Sequence, residues 1–471
     1  MEEFINNKPK DEEKSLSDET VDVEEKDVES EDFEEKVDAT SSNNNILKIS
    51  DFSKKGNFAN DDNFPEDDNF DEEDYDEEED EEFKEQVRKR VKRRKIIRNI
   101  IIALVAVAVL IFVLLLVLYN YGYEYKKYKA IEKISRKDTN TVVYEAYDGS
   151  ILKYSRDGMS VIRENGTEEI NSSFDMINPK SNVCGDYISI GDIGGRSVVV
   201  YDGKGNVYTV KTECDILATA VSANGIVAVL MEEETSNKIC LLDPSKTGSE
   251  QLKVEIPEKL ENGYPVAIDI STDSKCVALA TTKISSSELS SEISFYNFTD
   301  IGKNSKNNRV GHEKYDNRII ADLEFVNNDS LVAFDDTGFS VWEDMAAPKV
   351  VTEEKFSGDA KSIFMNNYYV GYVENTDPNH SRYRYSLYDL KGKKILSNQI
   401  NFEYTSVYIN NKDLVFTSPQ HTKVIRTNGT VKYELKTNYK VDYFLPSSKK
   451  NIFYLFDERR INVIKLKASI F

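Results

Sequence analysis

Nineteen consecutive apolar residues at 100–118 follow almost directly on a block of eight cations, and this junction constrains the whole 471-residue chain. The run contains only Ile, Leu, Val, Ala and Phe. At 1.5 Å of rise per residue it spans about 28 Å, close to the hydrocarbon thickness of a bilayer. Lipid offers the backbone no hydrogen-bond partner, so such a run predicts a transmembrane helix, placed here at 100–121. Arg88, Lys89, Arg90, Lys92, Arg93, Arg94, Lys95 and Arg98 lie in the basic segment 84–99 before it, while only Lys126, Lys127 and Lys129 flank the other end. Cationic flanks stay cytoplasmic, so the N-terminus is expected inside and everything beyond residue 118 outside. Tyr119, Tyr121 and Tyr123 then fall at the outer headgroup level, where amphipathic rings are favoured. A cleavable signal peptide is not expected, because its n-region would be nearly a hundred residues long and no small-x-small site follows. The expectation is an uncleaved signal-anchor crossing the cell membrane once.

The net charge of −23 is unevenly spread. Residues 1–83 hold 34 Asp and Glu against 8 Lys, a net of −26, whereas residues 84–98 hold nine cations and one Glu. A tail this charged and this poor in aliphatic residues cannot bury enough apolar surface to offset chain entropy, so 1–83 is expected to be disordered. Its densest acidic stretch is 71–82. Asp61-Asp-Asn-Phe64 and Asp67-Asp-Asn-Phe70 repeat inside it, which makes Phe64 and Phe70 candidate docking residues for a cytoplasmic partner; incidental Phe in acidic low complexity is the alternative. The basic segment can also meet anionic lipid headgroups, and the acidic run can compete for the same charges.

Beyond a linker at 122–137 the pattern changes to short alternating runs punctuated by Asp148-Gly149, Asp157-Gly158 and Asn165-Gly166. Period-two patterning with such turns signals β-hairpins, and no sustained 3.6-residue period follows residue 138. Two elements recur. One is an apolar strand running into a polar turn, as in Val200-Tyr-Asp-Gly203, Leu241-Leu-Asp-Pro244, Val341-Trp-Glu343 and Leu455-Phe-Asp457. The other is a hairpin such as Val221-Ser-Ala-Asn-Gly-Ile-Val-Ala228 or Ile270-Ser-Thr-Asp-Ser-Lys-Cys-Val-Ala278. Units recur roughly every 35 to 55 residues, the length of a four-stranded propeller blade. Residues 138–471 are therefore expected to be all-β, a seven- or eight-bladed β-propeller with units starting near 141, 176, 216, 266, 319, 361, 405 and 441. The last unit has three strands, so ring closure is expected to borrow Thr141–Tyr147. The competing arrangement is a two-layer sandwich followed by another β domain.

The Ile270–Ala278 hairpin is similar to the Ser-x-Asp-Gly-x-x-Val-Ala turn of WD-repeat and quinoprotein-like propellers, and Tyr201-Asp-Gly-Lys-Gly205 and Tyr388-Asp-Leu-Lys-Gly392 resemble their strand ends. With tail, anchor and repeat domain in this order, the chain resembles a family of uncharacterised bacterial single-pass membrane proteins with an extracytoplasmic propeller. The resemblance brings no activity with it.

Chemistry-bearing residues are sparse. His312, His380 and His421 sit in different units with no carboxylate or cysteine at ligand spacing, so neither a zinc site nor a Ser-His-Asp triad can be assembled. Cys240 and Cys276 occupy apolar strand positions, while Cys184–Cys214 is a candidate disulfide. Arg382, Tyr383, Arg384 and Tyr385 are candidate binding residues for an anionic or glycan-like ligand; a strand with one core and one solvated face is the alternative. No catalytic, metal or cofactor-binding residue is assigned, no cofactor is expected, and nucleic acid is not an expected partner. The expected role is recognition or scaffolding at the cell envelope rather than catalysis, through a protein or envelope ligand of the propeller and a cytoplasmic partner of the tail. The rival is an envelope enzyme with a carboxylate-based site in the propeller funnel, which two convergent carboxylates there would favour.

Overall fold

The computed structural model describes residues 77–136, 138, 141–285, 288–377 and 382–467. These fall into two compact units divided between Lys89 and Arg90. Phe64, Phe70 and His380 lie outside the described residues.

A single helix, Glu77–Tyr121, runs through 45 residues, so the basic segment is helical along with the apolar run. The reason is local. Its first half is rich in the strong helix formers Glu, Lys and Arg, its apolar half mixes Leu and Ala with Val and Ile, and it holds neither Gly nor Pro to break it. Gly122 ends it at φ 68°, the left-handed conformation a helix-terminating glycine supplies at little cost. The part from Phe83 to Val117 is long and apolar enough to cross a membrane, and no residue of its most apolar stretch is buried inside the protein.

The remainder is an eight-bladed propeller in which every blade is a four-stranded antiparallel sheet. Blades one to seven take their strands consecutively from 143–173, 179–211, 215–259, 264–316, 320–355, 360–400 and 406–436. The eighth takes three strands from 443–467 and its outermost strand from the other end of the domain, Lys127–Ser135. That strand pairs antiparallel with Arg460–Lys467, from Lys127 opposite Lys467 to Ser135 opposite Arg460, with a bulge between Ala130 and Glu132. The closing strand is thus drawn from the stretch read as a linker. Thr141–Tyr147 does not close the ring: Val143–Tyr147 is the innermost strand of blade one.

Each blade is one sheet thick and must be covered on both faces, and the core is divided accordingly. Eight apolar clusters form, one at each blade-to-blade boundary. Strand pleating shares side chains between them. Along Ser197–Tyr201, Val198 and Val200 join the cluster toward blade three, while Val199 and Tyr201 join the one toward blade one. Central strands are therefore apolar at successive positions, as in Ile452–Phe456, where all five residues are buried. Trp342, the one tryptophan, packs 4.8 Å from the Phe295 ring at the boundary of blades four and five.

Where the two chain ends meet, a charged clasp joins three parts of the ring. Arg136, just past the closing strand, donates to Asp442 at 2.6 Å, to the Asp457 carbonyl at 2.9 Å and to Asp138 at 2.9 Å. Asp138 also pairs with Lys153 of blade one at 2.7 Å and accepts the Tyr144 hydroxyl. Burial alone would raise the Asp138 carboxyl, but hydrogen bonds from Lys153 and Tyr144 hold it below the usual carboxylate range.

Candidate functional site: the central channel

The first strand of each blade lies innermost in its sheet order, and neighbouring first strands contact one another around the axis, so these strands line a central channel. Residues that alternate away from the blade boundaries along them face the bore. At the boundary of blades four and five the bore is acidic. Asp269, on Tyr264–Ile270, accepts the Phe325 backbone N–H across the boundary at 2.6 Å. Asp322 and Glu324 stand on the adjoining strand, Ile320–Phe325. Asp322 and Glu324 are exposed and Asp269 is half-buried, yet protein crowds all three and displaces part of the water that would stabilise their charge. Burial therefore pushes Asp269 up to about 8, helped by the Glu324 charge, and pushes Glu324 up to about 7, helped by Asp322. Asp322 is raised by burial as well. Cys184, at the end of blade two's first strand, is pushed up to about 11 by burial and by Asp269 and Glu324, so at neutral pH it is a thiol.

Elsewhere the wall is satisfied within itself. The Ser181 hydroxyl donates to Glu145 at 2.7 Å between blades two and one, and the Asn182 amide donates to the Thr219 carbonyl at 2.8 Å between blades two and three. Lys361 lies 4.3 and 4.5 Å from the Tyr383 and Tyr404 ring centroids. Among the described residues, no group of three His, Cys, Asp or Glu is placed to hold a metal ion.

The residues singled out from the sequence are dispersed. Tyr383 and Tyr385 are 0% and 1% exposed in the core between blades six and seven, so their rings cannot meet a ligand; pleating puts them on the inward side of their strand. Arg384 faces the other way but is held by Glu374 at 2.7 Å and by the Ser357 hydroxyl, while Arg382 is exposed. The candidate disulfide does not form. Cys184 ends one first strand and Cys214 precedes the next, Asp215–Val221, so they lie at opposite rims, about 20 Å apart by strand rise. Cys240 and Cys276 are buried thiols, as their apolar surroundings implied. His421 rests on Phe402 and contacts Glu434 at 2.7 Å. The channel carboxylates escaped the sequence reading, because Asp322-Leu-Glu-Phe325 looks the same whether its polar face meets open solvent or an axial bore.

A family model described as "Family of unknown function (DUF5711)" matches residues 121–466. Among proteins of curated function, none matches the sequence. Solved structures with a similar course include BamB from Moraxella catarrhalis, at 12% identity and a TM-score of 0.46, covering 72% of this chain and 100% of that one. Sqt1 from Saccharomyces cerevisiae matches at 10% identity and a TM-score of 0.48, covering 73% and 100%. The WD40 domain of Neurospora crassa Pan2 matches at 10% identity and a TM-score of 0.40, covering 73% and 96%.

Proposed function

The chain belongs to this family of unknown function, DUF5711, and from that premise we propose that it is a membrane-anchored recognition or scaffold protein of the cell envelope. In this reading the propeller binds a protein or envelope ligand outside the cell, and the acidic tail meets a partner in the cytoplasm. The observation that carries it is the junction of helix and ring. A helix whose described apolar side chains are exposed, Leu110 at 68% among them, is unstable in water and at home in lipid. Only the five residues from Gly122 to Lys126 separate it from the strand that closes the propeller.

Protease added to intact cells is expected to remove the propeller and leave the tail protected, and neutralising the eight cations at Arg88–Arg98 is expected to weaken that orientation. Digestion of the tail from outside with survival of the propeller would reverse the assignment. In the same cells, cross-linking is expected to capture a tail partner that is lost when Phe64 and Phe70 are changed to Ala. Loss on neutralising 71–82 with both Phe kept would show instead that the tail acts only as a polyanion.

The channel supports a second reading, an envelope enzyme using a carboxylate pair. Groups with pKa near 8 and 7 are tuned for proton transfer at neutral pH. Turnover of an envelope substrate by the purified protein, abolished by Glu324→Gln without change in Tm, would establish that reading. Unchanged turnover in that variant would remove Glu324 from it.

A further inference from the structure

A cavity of about 930 Å³ opens on the propeller rim between blades seven and eight, and residues next to the helix form part of its wall. Gly122 and Tyr123, the first and second residues past the helix end, line it. The rest of the wall is built by three hairpin turns: Asn410–Asp413 and Arg426–Asn428 of blade seven, and Pro446–Asn451 of blade eight.

Its charge is one-sided. Five cations line it against a single carboxylate, Asp413, and Asp413 is already paired with the buried Lys432. Lys449 is paired with Glu164 at 2.8 Å. Among the described residues the remaining three form no ion pair, although Arg426 stands opposite Asp413 across the hairpin and feels its charge. The Arg426 guanidinium contacts only neutral oxygens, donating to the Tyr123 carbonyl, to the Val431 carbonyl at 3.2 Å and to the Thr430 hydroxyl at 3.3 Å. Lys412 and Lys450 are exposed and, among the described residues, form no ion pair. Between these charges the wall mixes amides and hydroxyls with the apolar Pro446, Ile452 and Phe453. Asn451 donates its amide to the Tyr125 hydroxyl at 2.8 Å, while its buried Oδ1 has no donor.

We propose that this cavity binds the phosphate-bearing polyol headgroup of a lipid, of the glycerol-phosphate class, in the membrane leaflet that the helix leaves. Guanidinium and ammonium groups without carboxylate partners select phosphate. The Asn, Ser and Thr side chains of the wall select a hydroxyl-bearing headgroup over a bare one. Position selects the source. At 3.8 Å per residue, Gly122 and Tyr123 cannot lie farther than one headgroup layer from the helix end. The lipid assignment rests on reading the helix as a membrane anchor, whereas the ligand chemistry does not.

The test is titration of short-chain phosphatidylglycerol into the full chain in neutral detergent, with short-chain phosphatidylcholine and free glycerol 3-phosphate as parallel ligands. Phosphatidylglycerol is expected to bind tightest. Lys412→Gln with Lys450→Gln, which breaks no contact within the fold, is expected to weaken it about 25-fold, at roughly fivefold per charge. Lys391→Gln with Lys393→Gln removes equal charge from the same rim at blade six and is expected to change nothing. Equal weakening by both pairs, or phosphatidylcholine binding as tightly, overturns the site. Free glycerol 3-phosphate binding as tightly as the lipid overturns the membrane as its source. The titration is made in detergent, so it stands apart from the protease test of the anchor.

Discussion

Asp269 holds a half-buried carboxyl against the Phe325 N–H, and that placement has a measurable cost. Its pKa is about 8 in the folded protein against about 3.9 in an unfolded chain, so between those values the folded state binds a proton that the unfolded state does not. Stability contributed by the protonated group is full below pH 4 and is lost as pH rises toward 8. Asp269→Asn keeps an oxygen for the Phe325 N–H and carries no charge. Thermal melts from pH 5 to 9 are expected to show the variant with a flatter profile and a Tm higher by about 2–4 °C at pH 8. A variant less stable than its parent at pH 8 would mean that the ionised carboxylate is supported by the channel. Residues of this kind were illegible in advance, since pattern reports which side of a strand is polar but not what that side faces. The same limit applies to Ser381-Arg-Tyr-Arg-Tyr-Ser386. Alternation there was visible, but the aromatic side proved to be the core side.

Among the elements, the closing strand Lys127–Ser135 was hidden for a different reason. As the outermost strand of its blade it shows little but polar surface, and its four charges at Lys127, Lys129, Glu132 and Lys133 read as a juxtamembrane linker. Only pairing with Arg460–Lys467 defines it as a strand. A fragment 121–471 is expected to be monomeric and to unfold as one unit. A fragment 138–471 lacks the strand and Arg136, leaves Arg460–Lys467 as a bare edge, and is expected to associate and melt earlier in sizing and thermal measurements. Equal stability of the two fragments would show that the clasp is dispensable. In the whole chain, Arg136→Ala leaves Asp138 and Asp442 without their shared partner and is expected to cost about 3 kcal/mol in denaturant unfolding.

For the molecule as a whole, the repeat carried most of the fold. Unit starts expected near 216, 266, 319, 361 and 405 fall within two residues of first strands beginning at 215, 264, 320, 360 and 406, because each blade begins after the same kind of polar connection. The recurring Asp-Gly and Asn-Gly turns were legible for the same physical reason, needing residues that tolerate positive φ, as at Gly149, Gly203 and Gly429. Blade number was not legible, since it depends on where the first and last units meet, and that is a fact about two chain ends rather than about any local stretch. The meeting point also has a mechanical side. Any tension carried by the helix passes through Gly122 and the contacts of Tyr123 and Tyr125 with blade seven into Lys127–Ser135. A pull along that strand loads its hydrogen bonds to Arg460–Lys467 in shear, from Lys127 opposite Lys467 through to Ser135 opposite Arg460. The anchor and the fastener are one continuous piece of chain, so the tether bears force through the same bonds that keep the ring shut.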